Sequence, residues 1–417
     1  MTAPKLRFKE FDGDWLPYVL KDFVSFRKGK GISKADISED GINECIRYGE
    51  LYTTYGQVIR KIQSKTYVSK SECVLSQAGD VLIPASGETQ IDIATASCVL
   101  KGDVILSGDL NILSHKENGE WLAYYLSSAK KLDIAQLAQG NSVVHLYSSQ
   151  LKDLKINKPS KAEQTKIASF LSAVDEKISQ LTKKHQLLSQ YKQGMMQKLF
   201  SQQLRFKADD GSEFGEWEEI LVQYLVDKGI LEKPMDGNHG EIHPTSKDYV
   251  EEGIPFVMAT DIFNGKLHLE QTKKLTKQQA DSLRKGFSRE GDVLLTHKAN
   301  IGNVAIVPQL DVEYLMLTPQ VTYYRVINFS RLNNNFLKVY FESPQFQKNL
   351  LDLCTGATRL YIGISEQRKL PISLPCLEEQ TKIANFLSAI DQKIEVVAQQ
   401  IEQAKTWKKG LLQQMFV

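Results

Sequence analysis

The chain contains itself twice. EQTKIASFLSAVDEKI at 163–178 returns as EQTKIANFLSAIDQKI at 379–394, an offset of 216 residues without a gap. Over 163–200 against 379–416, 17 of 38 positions are identical. A unit that recurs once, with a long unlike stretch between its copies, means one scaffold carrying two different payloads. A lead-in recurs as well: LRFKEFDGDW at 6–15 and LRFKADDGSEFGEW at 204–217. The repeat unit is therefore lead-in, domain, long helix. The second lead-in directly follows the first helix. By symmetry the first should sit near the end of the second helix, as in a pseudo-twofold ring cut open at its termini.

The repeated segment has the marks of a helix. Ser160 and Glu163 have capping-box spacing just after Pro159. Apolar side chains then recur every three or four residues at Ile167, Leu171, Val174, Ile178, Leu181, Leu188, Met195 and Leu199, with His185 and Lys192 as polar interruptions. The second copy gives Ile383, Leu387, Ile390, Ile394, Val397, Ile401, Ala404, Leu411 and Met415. Two heptad seams in one chain most simply bury each other, so the spacing predicts an antiparallel coiled coil. At 1.5 Å per residue, ~38 residues span roughly 57 Å, a ruler between two domains. The expected architecture is α+β, with two mixed α/β domains joined by two long antiparallel helices. The expected boundaries are 1–159 and 204–375 for the domains, and 160–203 and 376–417 for the helices.

Inside the domains the pattern changes to short apolar runs broken by turns. Val81-Leu82-Ile83-Pro84 reads as a strand, and the runs either side of Lys101-Gly102-Asp103 read as a hairpin. The segment 121–126 looks helical. The 216-residue offset persists at Tyr124 and Tyr340, Gly140 and Gly356, Leu154 and Leu370, and Pro159 and Pro375. The loops differ: Ser86-Gly87-Glu88-Thr89 in one half faces Lys298-Ala299-Asn300-Ile301-Gly302 in the other.

Composition narrows the function by exclusion. With 52 basic against 50 acidic side chains, net charge +2 announces no polyanion partner, and any nucleic-acid surface must come from local clustering. Five scattered cysteines with no CxxC pair suit reduced thiols, and no apolar run approaches 18 residues. A soluble cytoplasmic protein without a membrane partner is expected. Gly29-Lys30 and Gly265-Lys266 are not followed by Ser or Thr in a phosphate-loop frame. His239 and His243 are four apart, but Gly240 and Pro244 oppose the helix that a metal pair would need. No Pro-Pro pair is present, so the Asn/Asp-Pro-Pro-aromatic motif of adenine methylation is missing. No catalytic residue and no metal site is expected in this chain.

The doubled EQTKIA-FLSA-D-KI helix resembles the conserved regions of the DNA specificity subunit of type I restriction-modification systems. IRYGELYTTYG (46–56), AGDVLIPASGET (78–89), SGDLNIL (107–113), GDVLLTHKANIGNVAIV (291–307) and TGATRLYIGISEQRKLPISLP (355–375) are similar to that family's target recognition domains. The resemblance covers essentially the whole chain. It implies a non-catalytic subunit that binds a bipartite site on double-stranded DNA, one half per domain. It also implies docking of two modification subunits and of restriction subunits. S-adenosylmethionine, ATP and Mg would belong to those partners, leaving no cofactor here.

Reading DNA requires side chains that offer hydrogen bonds to base edges, with polar and basic groups on phosphates. In the first domain the candidates are Arg47, Tyr48, Tyr52, Thr53, Thr54 and Tyr55, then Ser86, Glu88, Thr89 and Gln90, with Asn141 and Ser142 after Gly140. In the second they are Thr260, Asp261, Lys298, Asn300, Thr358, Arg359 and Tyr361. Arg359 is the sharpest, because a guanidinium pairs bidentately with guanine O6 and N7, although a phosphate clamp fits it equally well. Tyr48 and Tyr55 have an equal structural alternative as paving for a sheet face. A coiled-coil protein-interaction scaffold without DNA recognition is the competing class. The ruler carries a test. One extra helical turn in the first helix adds ~6 Å, which should lengthen the unspecified DNA spacer by one or two base pairs at about 3.4 Å each. Mapping the modified motif reads this out, and an unchanged spacer would exclude the helices as the measuring element.

Overall fold

The computed structural model describes residues 4–140, 143–298, 300–355 and 360–416. They form two compact units, Met1–Lys183 with Val397–Val417, and Lys184–Val396. Each unit holds one α/β domain, the start of the helix that leaves it, and the end of the other helix. Those helices run Lys161–Phe200 and Leu377–Met415, 40 and 39 residues long.

In the first unit the repeated glutamate explains why domain and helix meet as they do. Glu163 is 1% exposed. Its carboxylate accepts Arg7 Nε and Nη2, both at 2.8 Å, and Trp15 Nε1 at 3.2 Å. Only half of the expected capping box forms: the Glu163 amide donates to Ser160 Oγ at 3.3 Å, while its carboxylate is taken up by the lead-in. The adjacent Gln164 accepts the Asn118 amide at 3.0 Å and donates to the Pro159 carbonyl at 3.1 Å. Strand Leu16–Val19 pairs with Lys155–Lys158, so the chain enters and leaves the domain side by side. The Leu6 amide donates to the Gln414 carbonyl at 2.9 Å, which puts the lead-in at the end of the second helix as the repeat requires.

The second unit repeats these contacts apart from the cap, where Cys376 stands in place of Ser160. Arg205 reaches Glu379 at 2.7 Å, Trp217 Nε1 reaches it at 3.0 Å, and Gln380 accepts the Asn333 amide at 2.9 Å. Strand Glu218–Leu221 pairs with Pro371–Leu374. The helix ends are also fixed by charge. In the first unit Lys408 lies 2.6 Å from Asp175, and in the second Lys192 lies 2.7 Å from Asp391. Lys192 therefore carries more than an interruption of the seam, and carboxylates at Glu342 and Asp391 hold its proton against the cost of burial.

Each domain is built on two small sheets. In the first, Val24–Lys28, Leu110–His115, Val81–Pro84, Ser97–Val99 and Val58–Ile59 form one, and Ser64–Thr66, Asn43–Ile46, Ile105–Leu106 and Val74–Leu75 the other. In the second, Met235–Asp236, Val321–Tyr324, Val293–Thr296 and Val304–Ile306 form one. Tyr249–Val250, Lys273–Leu275, Ile254–Val257, Leu315–Leu317 and Phe287–Ser288 form the other. Asn43–Ile46 runs parallel to Ile105–Leu106, and Ile254–Val257 to Leu315–Leu317. The expected strand over 81–84 and helix over 121–126 are present, the latter as Gly119–Ser128. The expected hairpin around Lys101-Gly102-Asp103 is not. Its two arms join different sheets, because Ser76 captures the turn through Asp103 N and Val104 N and diverts the chain.

The seam residues are mostly buried, but not only against a helix. Ile167, Leu171 and Val174 enter a core with Trp121, Ile156, Leu411 and Phe416. Ile383, Leu387 and Ile390 do the same with Phe336, Ile372, Leu199 and Phe200. Leu181, Val397 and Ile401 are buried, while Ile178, Leu188 and Ile394 are half-buried. The first turns of each helix thus serve as a wall of its own domain, which a heptad pattern alone does not reveal. No helix among the described residues is long and apolar enough to cross a membrane. Glu163→Ala would strip Arg7 and Trp15 of a buried carboxylate and should cost about 3 kcal/mol in denaturant unfolding. Glu163→Gln, which can still accept from Trp15, should lose less. Equal stability of all three proteins would refute the closure role.

Candidate nucleic-acid interface

The parallel strands of the first domain end together, and the residues after them form its most featured surface. Arg47 follows Asn43–Ile46, and Ser107 follows Ile105–Leu106, whose Ile46 and Leu106 lie in register. Ser107 Oγ accepts the Tyr48 amide at 3.2 Å. Glu50, 5% exposed, accepts the Arg47 amide at 2.8 Å and one guanidinium nitrogen at 3.2 Å, and Ser64 Oγ also donates to it. A buried carboxylate thereby shapes the turn and orients Arg47. The resulting cleft, about 560 Å³, is lined by Arg47, Tyr48, Tyr52, Thr53, Thr54 and Asp109 among others.

Tyr48 and Tyr55 divide their roles. Both pack on the core of Ile46, Leu51 and Ile59. The Tyr55 hydroxyl accepts the Gln63 amide at 2.9 Å, and burial pushes its phenol up to about 12. Tyr55 is sheet paving, whereas Tyr48 also lines the cleft. Thr53 and Thr54 are exposed, their hydroxyls 3.2 Å apart. Burial raises the Tyr52 phenol, with Tyr48, Glu88 and Asp92 adding to it, so the 88–92 turn lies within electrostatic reach of Tyr52. In that turn Glu88 and Gln90 are exposed, and Thr89 caps a short helix by accepting the Asp92 amide at 3.1 Å. Ser86 is only 4% exposed and pairs with His145. At that burial its side chain offers a base almost no surface. Asn141 and Ser142 lie outside the described residues.

The second domain has the same plan with other side chains. Asp261, 7% exposed, accepts the Met258 amide at 2.8 Å just as Glu50 accepts that of Arg47. Burial raises its carboxyl. Asp261 is therefore a turn-shaping acid, and Thr260 is the exposed member of that pair. Lys298 is exposed and bridges Tyr361, which is 48% exposed and bridges Thr355 in turn. Asn300 is exposed, and its carbonyl accepts Thr296 Oγ1. Thr358 and Arg359 lie outside the described residues.

The two bridging patterns coincide. Gln139 pairs with His145 and His145 with Ser86 in one domain; Thr355 pairs with Tyr361 and Tyr361 with Lys298 in the other. His145 and Gln139 escaped the sequence reading, although Tyr361 minus 216 points straight at His145. Also missed was a cluster on Asp236, whose carboxylate holds Lys285 and, at 2.7 Å, His239. His297 Nδ1 lies 2.8 Å from Thr322 Oγ1, and its Nε2 lies 4.0 Å from Asp236. His239 therefore pairs with Asp236, while His243 sits beside Phe256 at 5.6 Å. No group of three potential metal ligands occurs among the described residues.

Residues 12–189 and 228–406 match the family model described as type I restriction modification DNA specificity domain. The specificity subunit of the type I restriction enzyme MjaVIII from Methanocaldococcus jannaschii is 26% identical over 423 residues, covering 97% of this chain and 94% of the relative. A crystal structure of a type I restriction-modification system S subunit from M. genitalium is similar in fold, with a TM-score of 0.63 at 15% identity. That match covers 100% of this chain and 99% of the other. A second solved chain comes from work on complex assembly and conformational transition of the type I R-M system. It gives a TM-score of 0.53 at 16% identity over 96% and 97% of the two chains.

Burial pushes the His297 imidazole down to about 4, outweighing the attraction of Asp236. An unfolded histidine takes its proton near 6.5, so between these values the unfolded chain binds the extra proton and stability falls with pH. The loss amounts to about 3 kcal/mol at most. His297→Gln should remove it. Denaturant unfolding from pH 7 to 4.5 should show the wild type losing more than the variant, and parallel losses would show that the buried ring does not resist protonation.

Proposed function

The chain belongs to the type I restriction modification DNA specificity family, and on that premise we propose that its domains read the two halves of a split double-stranded DNA site. It is a specificity subunit that performs no chemistry itself. It acts in the cytoplasm within a complex, where two modification subunits methylate adenine and restriction subunits cleave. The observation that carries this reading is the repetition of one tip geometry with unlike residues. Ser86, His145 and Gln139 stand where Lys298, Tyr361 and Thr355 stand in the other domain. A scaffold held constant under substituted tips suits two readers of different sequences.

In the first domain the exposed base-contacting candidates are Thr53, Thr54, Glu88 and Gln90, with Arg47, Tyr48 and Tyr52 in the cleft. In the second they are Thr260, Lys298, Asn300 and Tyr361; Asn141 and Ser142 in the first domain and Thr358 and Arg359 in the second stay candidates on the sequence alone. Three or four base pairs at ~1–3 kcal/mol each give roughly 3–12 kcal/mol per half-site. Alone that is a poor address in a genome, and coupling two such sites on one chain supplies the rest through effective concentration. Replacing residues 15–159 by the matching domain of another family member should change one half of the methylated motif and leave the other half unchanged. Genome-wide mapping of N6-methyladenine reads the result. A change in both halves would refute modular reading, and absence of any motif in the parent strain would refute DNA specificity.

A further inference from the structure

Beside each candidate reading surface lies a turn whose position is set by a glycine. In the first domain it is Lys28-Gly29-Lys30, and in the second Asp236-Gly237-Asn238-His239. The strands that lead into them hold the same place in their sheets. Lys28 pairs with Asn111, which pairs with Ile83; Asp236 pairs with Thr322, which pairs with Leu295. Both turns press on the segment leaving the parallel strand. A Cβ on Gly29 would stand 1.9 Å from the Ser107 carbonyl oxygen, and one on Gly237 would stand 1.8 Å from that of Leu317. Neither turn can hold a side chain there, so each is locked at the edge of its domain's strand-end surface.

What the turns present is positive charge. Lys28 and Lys30 are exposed, and no ion pair holds either among the described residues. They line a depression of about 720 Å³ together with Ile32, Ser33, Gly108 and Asp109. Those four residues also line the cleft under Arg47. In the second domain the charge is mounted differently. Asp236, 4% exposed, engages Lys285 through one oxygen and His239 through the other. Asn238 ties the turn down by accepting the Arg284 amide at 3.1 Å and donating to the Lys285 carbonyl at 2.6 Å. The Lys285 side chain remains 34% exposed and that of His239 57%. Burial works against the Asp236 carboxylate, but its bonds to Lys285 and His239 outweigh that and keep it ionised, so both side chains are held in place by one buried acid. The arrangement is a mount that presents the Lys285 ammonium and the His239 ring at the surface.

We propose that these turns are phosphate grips flanking each half-site, formed by Lys28 and Lys30 in the first domain and by Lys285 and His239 in the second. Asp236 is a positioning residue for the latter pair. The inference rests on the DNA-reading function and adds the backbone contacts to it. Lys28 and Lys30 line the depression beside the cleft and not the cleft itself, and an ammonium supplies a charge without a fixed planar fork, which favours a duplex phosphodiester as the ligand.

The test is a salt titration of binding by the full chain with its modification subunits. The probes are a duplex carrying the mapped motif and a scrambled duplex of equal length. Each lost phosphate contact lowers the slope of log K against log salt by about 0.9. Lys28→Gln with Lys30→Gln should lower it by about 2, and Lys285→Gln by about 1, equally on both duplexes, with the methylated motif unchanged. Asp236→Asn should lower the slope as Lys285→Gln does, which a loss of stability alone would not. Unchanged slopes, with the wild type still preferring its motif, would overturn the grips and leave the reading function standing. A changed motif would make these residues base readers and overturn the grips as well. A wild-type complex that does not distinguish the duplexes would remove the reading function and the grips together.

Discussion

A buried glutamate at the start of each long helix holds the rest of the fold in register. Glu163 and Glu379 each take an arginine and a tryptophan from a lead-in that is remote in sequence. A carboxylate removed from water is costly unless its oxygens are filled, and here a guanidinium and an indole fill them. The cost is what makes the contact specific, since a lead-in that failed to deliver these donors would leave the acid buried and unfilled. Through this contact the helix start, the strand that enters the domain and the strand that leaves it become one structural joint. The glutamine that follows closes the joint by holding the Asn118 or Asn333 amide. This is why EQ opens the repeat and survives in both copies.

With the joint secured at the base, the far ends of the strands are released from structural duty. What they keep is a single requirement, an acid that folds back on the turn. Glu50 meets it in one domain and Asp261 in the other, each accepting an amide three residues before it at 2.8 Å. Around that fixed point the neighbours differ: Arg47 and Tyr48 on one side correspond to Met258 and Ala259 on the other. Tyr48, Met258 and Ala259 still pack on the cores beneath them, so the variation is cheapest at the exposed positions of the turn, where substitutions usually fall within about 0.5 kcal/mol. A reader that must change its target without unfolding needs this division of labour.

The sequence revealed what is periodic or repeated. The heptad spacing placed both helices, the 216-residue offset placed the lead-in beside Gln414, and the apolar run at 81–84 placed a core strand. It concealed whatever depends on a distant partner. The arms at 97–99 and 105–106 look like a hairpin until Ser76 claims the turn between them. Ser86 and Asp261 are polar residues in loop-like surroundings, yet one lies in a strand pair and the other caps a turn, because only three dimensions reveal which polar group is already satisfied. Lys192 and Lys408 interrupt an apolar seam, and their meaning appears only with Asp391 and Asp175 opposite. Gly29-Lys30 showed in the sequence only as a failed phosphate-loop frame, since the turn's place beside the cleft comes from a glycine packed on a carbonyl.

The seam lysines complete the physical picture. A purely apolar stripe can slide by a heptad, because one leucine layer resembles the next. A half-buried lysine held by carboxylates on its neighbours resists such a slide, since a shift would draw its charge away from theirs. Lys408 on Asp175 and Lys192 on Asp391 place that restraint once in each unit, at positions related by the repeat. The packing of each helix end against the other helix is then fixed by charge, while the apolar layers supply the stability. Duplication delivers both terms twice from one stretch of sequence, so selection on one copy's tips leaves the register of either unit untouched.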